Sequence, residues 1–193
     1  MRVPFNKFKI ILWIAALVVP IICGGMIFSL TGDAMQAFTK FGFFKFIFSQ
    51  QWNYTPGHES YGALPFISGT LITTILALIF CIPFSMPVAM FIGEYYKGTK
   101  VANVLGTVVD LLAGIPSIIY GLWGFYVLRP IIVSLGLSDQ GSCILTAALV
   151  LAIMIVPYAA SLSGEFIKMI PEDLKEGAYS LGATRAEVLR SVI

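Results

Sequence analysis

Leu64 to Ile92 reads LPFISGTLITTILALIFCIPFSMPVAMFI, without one charged side chain. A helix needs about 20 apolar residues to cross the hydrocarbon layer of a bilayer, and this stretch is long enough to do so with residues to spare. Similar stretches lie on either side: Ile10–Leu30, Val101–Leu128 and Ser142–Ser163. Across all 193 residues, 58% are hydrophobic and 11% charged, and the mean hydropathy is +0.90. Soluble domains run at about 45–50% apolar and about 25% charged, and a chain of this size cannot hide such an excess in one core. A soluble enzyme and a disordered chain are both excluded. The expectation is an all-α, polytopic membrane protein with four spans.

The bases between the spans give a sidedness. With the N-terminus inside, Arg2, Lys7, Lys9, Lys97, Lys100, Lys168, Lys175, Arg185 and Arg190 fall on the inner side, and only Lys40, Lys45 and Arg129 on the outer. The positive-inside rule then puts the N-terminus in the cytoplasm. The first span follows basic residues but is too long for a signal peptide and lacks a small-x-small cleavage site, so it is expected to be retained. The outer segment Thr31–Ala63 gathers Phe38, Phe41, Phe43, Phe44, Phe46, Phe48 and Trp52 around Lys40 and Lys45. It reads as a loop with a short interfacial helix that anchors it at headgroup depth. The expected division is residues 1–63, the first span with this loop, and residues 64–193, the remaining core.

The chemistry-bearing residues compose no catalytic site. There is no nucleophile elbow, metal-protease motif, paired cysteine or phosphate loop. Cys23, Cys81 and Cys143 lie in or beside apolar runs and read as small core residues, and His58 stands alone in a Gly/Pro loop. No cofactor or metal is expected, and a net charge of +2 gives no reason to expect nucleic acid. Any ATP must be bound and hydrolysed by another subunit.

Two features carry functional signals. The first follows the fourth span, where the composition turns polar from Glu165 to Arg190. Pro171 suits the first position of a helix, Glu172 and Asp173 favour its dipole, and Leu174, Ala178 and Leu181 recur at helical spacing. Gly182 ends that helix, and Thr184 with Glu187 forms a capping box for a second. Two short amphipathic helices joined at a glycine read either as a docking element for a partner or as a loop capping the bundle.

The second is the cluster of small and helix-breaking residues in the third span. Pro116 leaves the Leu112 carbonyl without its helix donor, Gly114 permits close backbone approach, and Ser117 and Tyr120 place hydroxyls one turn apart. Helix ends and hydroxyls suit passage of an anion through a bilayer; a packing kink between helices is the other reading. Asp110, a carboxylate inside this span, has the wrong sign to attract an anion. A buried ion pair, a hydrogen bond to a neighbouring helix, or a place in the cytoplasmic mouth would each account for it.

Glu176-Gly177-Ala178, then Gly182, then Val192 resembles the EAA loop of binding-protein-dependent ABC importer permeases: Glu-Ala-Ala, three residues, Gly, nine residues, Ile-x-Leu-Pro. Gly177 replaces the usual Ala, which loosens the helix by about 1 kcal/mol. Leu111–Gly124, LLAGIPSIIYGLWG, resembles the third-helix signature of the PstC family of phosphate-specific permeases, as do Gly62–Phe66 and Leu149–Met154. The sister family PstA shares only the general theme.

The resemblance implies a MetI-like ABC permease fold in the bacterial inner membrane, with an EAA coupling helix at Glu176, Gly177, Ala178 and Gly182. Its implied task is to form part of the path for inorganic phosphate, with Asp110, Gly114, Pro116, Ser117 and Tyr120 as path candidates. Implied partners are a PstA-like second permease, two PstB-like ATPase subunits and a PstS-like phosphate-binding protein. Permeases for sulfate or molybdate, the sister phosphate permeases of the PstA family and, in a different class, ion-coupled carriers are the alternatives; a carrier would be expected to place several acids or histidines inside its spans. The resemblance also implies about six spans and a motif running past Ile193, so the expectation is an incomplete chain, whether a fragment or a gene interrupted at its 3′ end.

Overall fold

A computed structural model describes residues 7–192, with side chains from residue 9 onward; Arg2, Ile193 and the Lys7 side chain lie outside the described residues. The chain divides into two compact units, the boundary falling between Ser68 and Gly69.

In the first unit, α1 (Lys7–Phe41) continues well past the expected end at Leu30. Thr31 and Thr39 do not break it, because their hydroxyls fold back onto the carbonyls of Ile27 at 2.7 Å and Met35 at 3.0 Å. Gly42, at φ +81°, is the stop: a left-handed position costs glycine little, and its N–H still closes onto the Phe38 carbonyl at 2.9 Å.

The short helix expected among the phenylalanines is α2 (Phe43–Phe48), but much of the segment taken for a loop is helical. A small hairpin follows, β1 (Trp52–Asn53) against β2 (Ser60–Tyr61), with Trp52 opposite Tyr61. Aromatic rings hold this unit edge to face. Phe38 meets Phe43 at 4.9 Å, Phe41 meets Tyr61 at 5.2 Å, and Trp52 meets both Tyr61 at 5.1 Å and Phe66 at 4.9 Å. Gly62 has no room for a side chain, since a Cβ there would strike the Ser49 backbone.

α3 (Leu64–Met90) contains Pro83 and Pro87 without ending at either. It passes directly into a π-helical turn, Phe91–Tyr95, closed by the Tyr96 N–H on the Phe91 carbonyl at 3.0 Å. Ala77, Cys81, Ser85 and Ala89 form its buried stripe, four residues apart. In α7 (Ile144–Lys168), Ala148, Ala152, Ala160 and Gly164 are buried as well, and a Cβ on Gly164 would lie 3.7 Å from the Ala89 carbonyl oxygen. Small residues let helices approach where lipid supplies no hydrophobic drive.

The expected third span, Val101–Leu128, is not one helix. α4 (Lys100–Ala113) is capped by Thr99 and ends at Gly114. Pro116 disfavours helical geometry at the residue before it and cannot donate, and α5 (Ser117–Trp123) begins afresh. A second π turn, Gly124–Leu128, leads into α6 (Arg129–Ser134). At 1.5 Å per residue α4 covers about 21 Å, short of a bilayer core.

The helices long and apolar enough to span are Lys9–Phe41, Leu64–Tyr95, Ser117–Ser134 and Ile144–Lys168. Asp110 therefore lies in α4, outside the third spanning stretch, and Arg129 lies inside it rather than in an outer loop. Asp110 pairs with Ser161, and a Cβ on Gly124 would strike Val150, so α4 through the second π turn runs antiparallel to α7. α8 (Glu172–Ser180) and α9 (Arg185–Ser191) complete the second unit. Four membrane-length apolar helices among the described residues make this an all-α, multi-pass membrane protein.

Candidate functional site

Local sequence builds the α8–α9 element much as expected. Pro171 stands just outside α8 as its N-cap, one position earlier than the sequence suggested, with Glu172 and Asp173 in the first turn. Gly182 takes φ +84°. Around it the Gly182 N–H reaches the Tyr179 carbonyl at 2.9 Å, and the Ala183 N–H reaches that of Ala178 at 3.1 Å. These bonds satisfy carbonyls that a helix end leaves open.

The capping box on α9 is complete. The Thr184 N–H donates to Glu187 Oε2 at 2.7 Å, and the Glu187 N–H donates to Thr184 Oγ1 at 3.4 Å. The Thr184 backbone N–H first, and its hydroxyl second, hold the Glu187 carboxyl below its ordinary value.

The apolar stripe of α8 faces largely outward. Leu174 and Leu181 are exposed, Leu181 at 91%, and Ala178 is half-buried. The residue turned inward is Lys175, only 3% exposed. Its Nζ donates to Glu94 Oε2 at 2.5 Å and to Glu172 Oε1 at 3.4 Å, while Lys97 Nζ reaches the same Glu172 oxygen at 2.7 Å.

Burial opposes the Lys175 charge, but Glu94 and then Glu172 outweigh it and hold the ammonium above its ordinary pKa. Lys97 first and Lys175 second hold Glu172 below the usual carboxylate value. The Lys175–Glu94 contact, with side chains 3% and 21% exposed, sets where α8 sits. Sequence reasoning counted Lys175 only as an inner base. Its available signals were the spacing Glu172–Lys175 and the isolated acid at the end of the uncharged run.

Of the coupling candidates, Glu176 and Gly177 are exposed and Gly177 has open space where a Cβ would stand. α9 is seated by Val188, which is 1% exposed, and by Arg185, whose guanidinium lies 5.5 Å from the Tyr95 ring centre.

At the helix break, the Leu112 carbonyl accepts both the Ile115 N–H at 3.2 Å and the Tyr120 hydroxyl at 2.9 Å. Tyr120 thus spends its proton on the backbone. Ser117 opens α5 and is exposed, as are Gly114 and Pro116. Asp110 is separate from this group: Ser161 Oγ on α7 donates to its Oδ1 at 2.6 Å. Of the alternatives open for Asp110, this contact is the hydrogen bond to a neighbouring helix.

An open, mostly apolar cleft of about 700 Å³ lies nearby, lined by Thr73, Gly121, Phe125, Arg129 and Thr146 among others, and none of the five path candidates lines it. Arg129 is engaged there, its Nε donating to the Gln140 carbonyl at 2.8 Å and its guanidinium lying 4.9 Å from the Phe125 ring centre. Among the described residues, no group of three His, Cys, Asp or Glu side chains could hold a metal ion.

A protein of Mesorhizobium japonicum named phosphate transport system permease protein PstC is 38% identical over 93% of this chain, and one of the same name from Pasteurella multocida is 36% identical over 92%. The chain spans 59% and 60% of their lengths, respectively. Among solved structures, a chain of the MetNI methionine ABC transporter in an inward-facing conformation superposes with a TM-score of 0.53 over 65% of this chain and 58% of that one. At 21% identity that likeness bears on the fold alone. Residues 85–193, from the last turns of α3 onward, match the family model described as binding-protein-dependent transport system inner membrane component. The chain belongs to that family of ABC importer permeases.

Proposed function

We propose that the chain is the membrane-spanning permease subunit of an ATP-driven importer of inorganic phosphate. The observation that carries this reading is the α8–Gly182–α9 element. It is tied inward by Lys175 and Val188 and turns Leu174, Tyr179 and Leu181 outward, where an apolar face needs a partner. That partner is an ATPase subunit of the PstB kind, two copies serving this chain and a PstA-like second permease. Glu176, Gly177, Ala178 and Gly182 form the docking helix and its end. The relatives named as phosphate permeases support the substrate, which a PstS-like binding protein delivers.

The N-terminus lies in the cytoplasm, since Lys9, Lys97, Lys100, Lys168, Lys175, Arg185 and Arg190 then share one side with it. This orientation puts α8 and α9 on the cytoplasmic side, where ATP is available. The break at Gly114, Pro116 and Ser117 contributes helix ends to the anion path. Tyr120 braces that break, and Asp110 holds α4 to α7.

Uptake of radiolabelled phosphate in cells lacking and then regaining this gene, with all partner subunits present, tests the reading. Restored uptake is expected. No increase over the deleted strain removes phosphate, and restored sulfate or molybdate uptake in its place reassigns the substrate.

A further inference from the structure

Glu94 is the first charge after the uncharged run that begins at Leu64, and it falls in the π turn Phe91–Tyr95. A π turn inserts extra backbone into a helix and is often found at functional positions. One side of this turn is pressed against its neighbours. A Cβ on Gly93 would lie 2.9 Å from the Gly164 carbonyl oxygen and 2.9 Å from Ile167 Cβ, while Ile92 packs with Val109 of α4 and Ala160 of α7. The other side receives the α8–α9 element, through Glu94 to Lys175 and through Tyr95 to Arg185.

Lys175 is the one buried residue of α8, so that helix is held by charge rather than by an apolar seat. Separating Lys175 from Glu94 would strand a buried ammonium without its partner, so this contact holds α8 against being pulled away. The exposed pair Lys97–Glu172 runs beside it and adds little on its own.

We propose that this π turn receives the motion of the coupling element, with Lys175 and Glu94 as the positioning residues that make α8–α9 and the adjoining ends of α3 and α7 move as one body. The inference rests on the ATP-driven permease reading and deepens it, naming the contact through which a displaced α8 pulls on the spans.

The test uses the assembled transporter with its ATPase and binding protein, reading labelled phosphate uptake and ATP hydrolysis in the same vesicles. Lys175→Glu and Glu94→Lys should each lower the phosphate moved per ATP hydrolysed about tenfold, with the ATPase still co-purifying, and the double exchange should restore the ratio. Glu94→Gln, which keeps the hydrogen bond without the charge, should give an intermediate loss and serves if a reversed charge prevents folding.

A second readout is independent of substrate. Spin labels at Ser180 and Met86, in a background without Cys23, Cys81 and Cys143, should give a narrow distance distribution in the otherwise unsubstituted protein. Each single exchange should broaden it, and the double exchange should narrow it again. If the unsubstituted transporter moves no phosphate, the substrate assignment fails while the label distances still decide the tie. Single exchanges that leave both readouts unchanged overturn the proposal. So does a broadened distance with an unchanged uptake ratio, or a double exchange that restores neither.

Discussion

The Tyr120 hydroxyl donates to the Leu112 carbonyl at 2.9 Å, bridging the break that Pro116 makes between α4 and α5. Proline removes a helix donor, and the Leu112 carbonyl is met instead by this hydroxyl and by the Ile115 N–H at 3.2 Å. The hydroxyl of this path candidate is thus engaged with the backbone across the break.

Tyr120→Phe should therefore destabilise the protein by about 1 kcal/mol, read from the unfolding midpoint in mixed micelles. A Tyr120→Phe variant with unchanged stability and sharply lower uptake would instead make the hydroxyl a donor to the substrate.

Asp110 accepts from Ser161 Oγ at 2.6 Å, and an amide oxygen can accept the same bond. Asp110→Asn should keep most uptake and fall well short of the loss caused by deleting α8 and α9. Ser161→Ala removes the donor and should cost more stability than Asp110→Asn, by about 0.5–1.5 kcal/mol. Uptake and unfolding measured on the same preparations check both orders.

Two glycines of the coupling element should respond oppositely to alanine. Gly177 is helical with open space around it, so Gly177→Ala should stabilise α8 by about 0.5–1 kcal/mol. Gly182 stands at φ +84°, where a Cβ is strained, and Gly182→Ala should destabilise by about 1–2 kcal/mol. Amide hydrogen exchange across α8 reads both.

The carboxylates of this element set its response to acid. Glu172 and Glu187 are held below their ordinary values by their partners. The stability they contribute is complete above the unfolded carboxylate pKa and is lost as pH falls through the lowered folded value. Lys175 has the opposite sense: its raised pKa keeps its contribution until pH rises through that value, above the ordinary lysine range. Exchange at the first amides of α9 should stay slow relative to intrinsic rates from neutral pH down into the carboxylate range and lose protection below it. Glu187→Gln should flatten that dependence.

Local signals made much of this legible in the sequence. The uncharged runs gave the apolar helices, and Gly182, Thr184 and Glu187 placed the joint and cap of α8–α9, because a turn glycine and a capping box act over a few residues. α1 runs past the apolar stretch Ile10–Leu30, which alone marks a span in the sequence, because the hydroxyls of Thr31 and Thr39 fold onto their own helix. Pro116 marked a break but not its extent, since whether a proline kinks or divides a helix depends on what the neighbours supply. Lys175 and Glu94 are 81 positions apart, and no local pattern links them. Their pairing is a product of tertiary packing, as is the seating of α8 by charge while its leucines face outward.

The central claim is that α8–α9 couples an ATPase to phosphate movement, and Glu176→Lys tests it most directly. Phosphate uptake and ATPase co-purification would be measured beside the unsubstituted protein, with membrane insertion as the control. The account predicts normal insertion with ATPase association or uptake abolished. Unchanged association together with full uptake would contradict it.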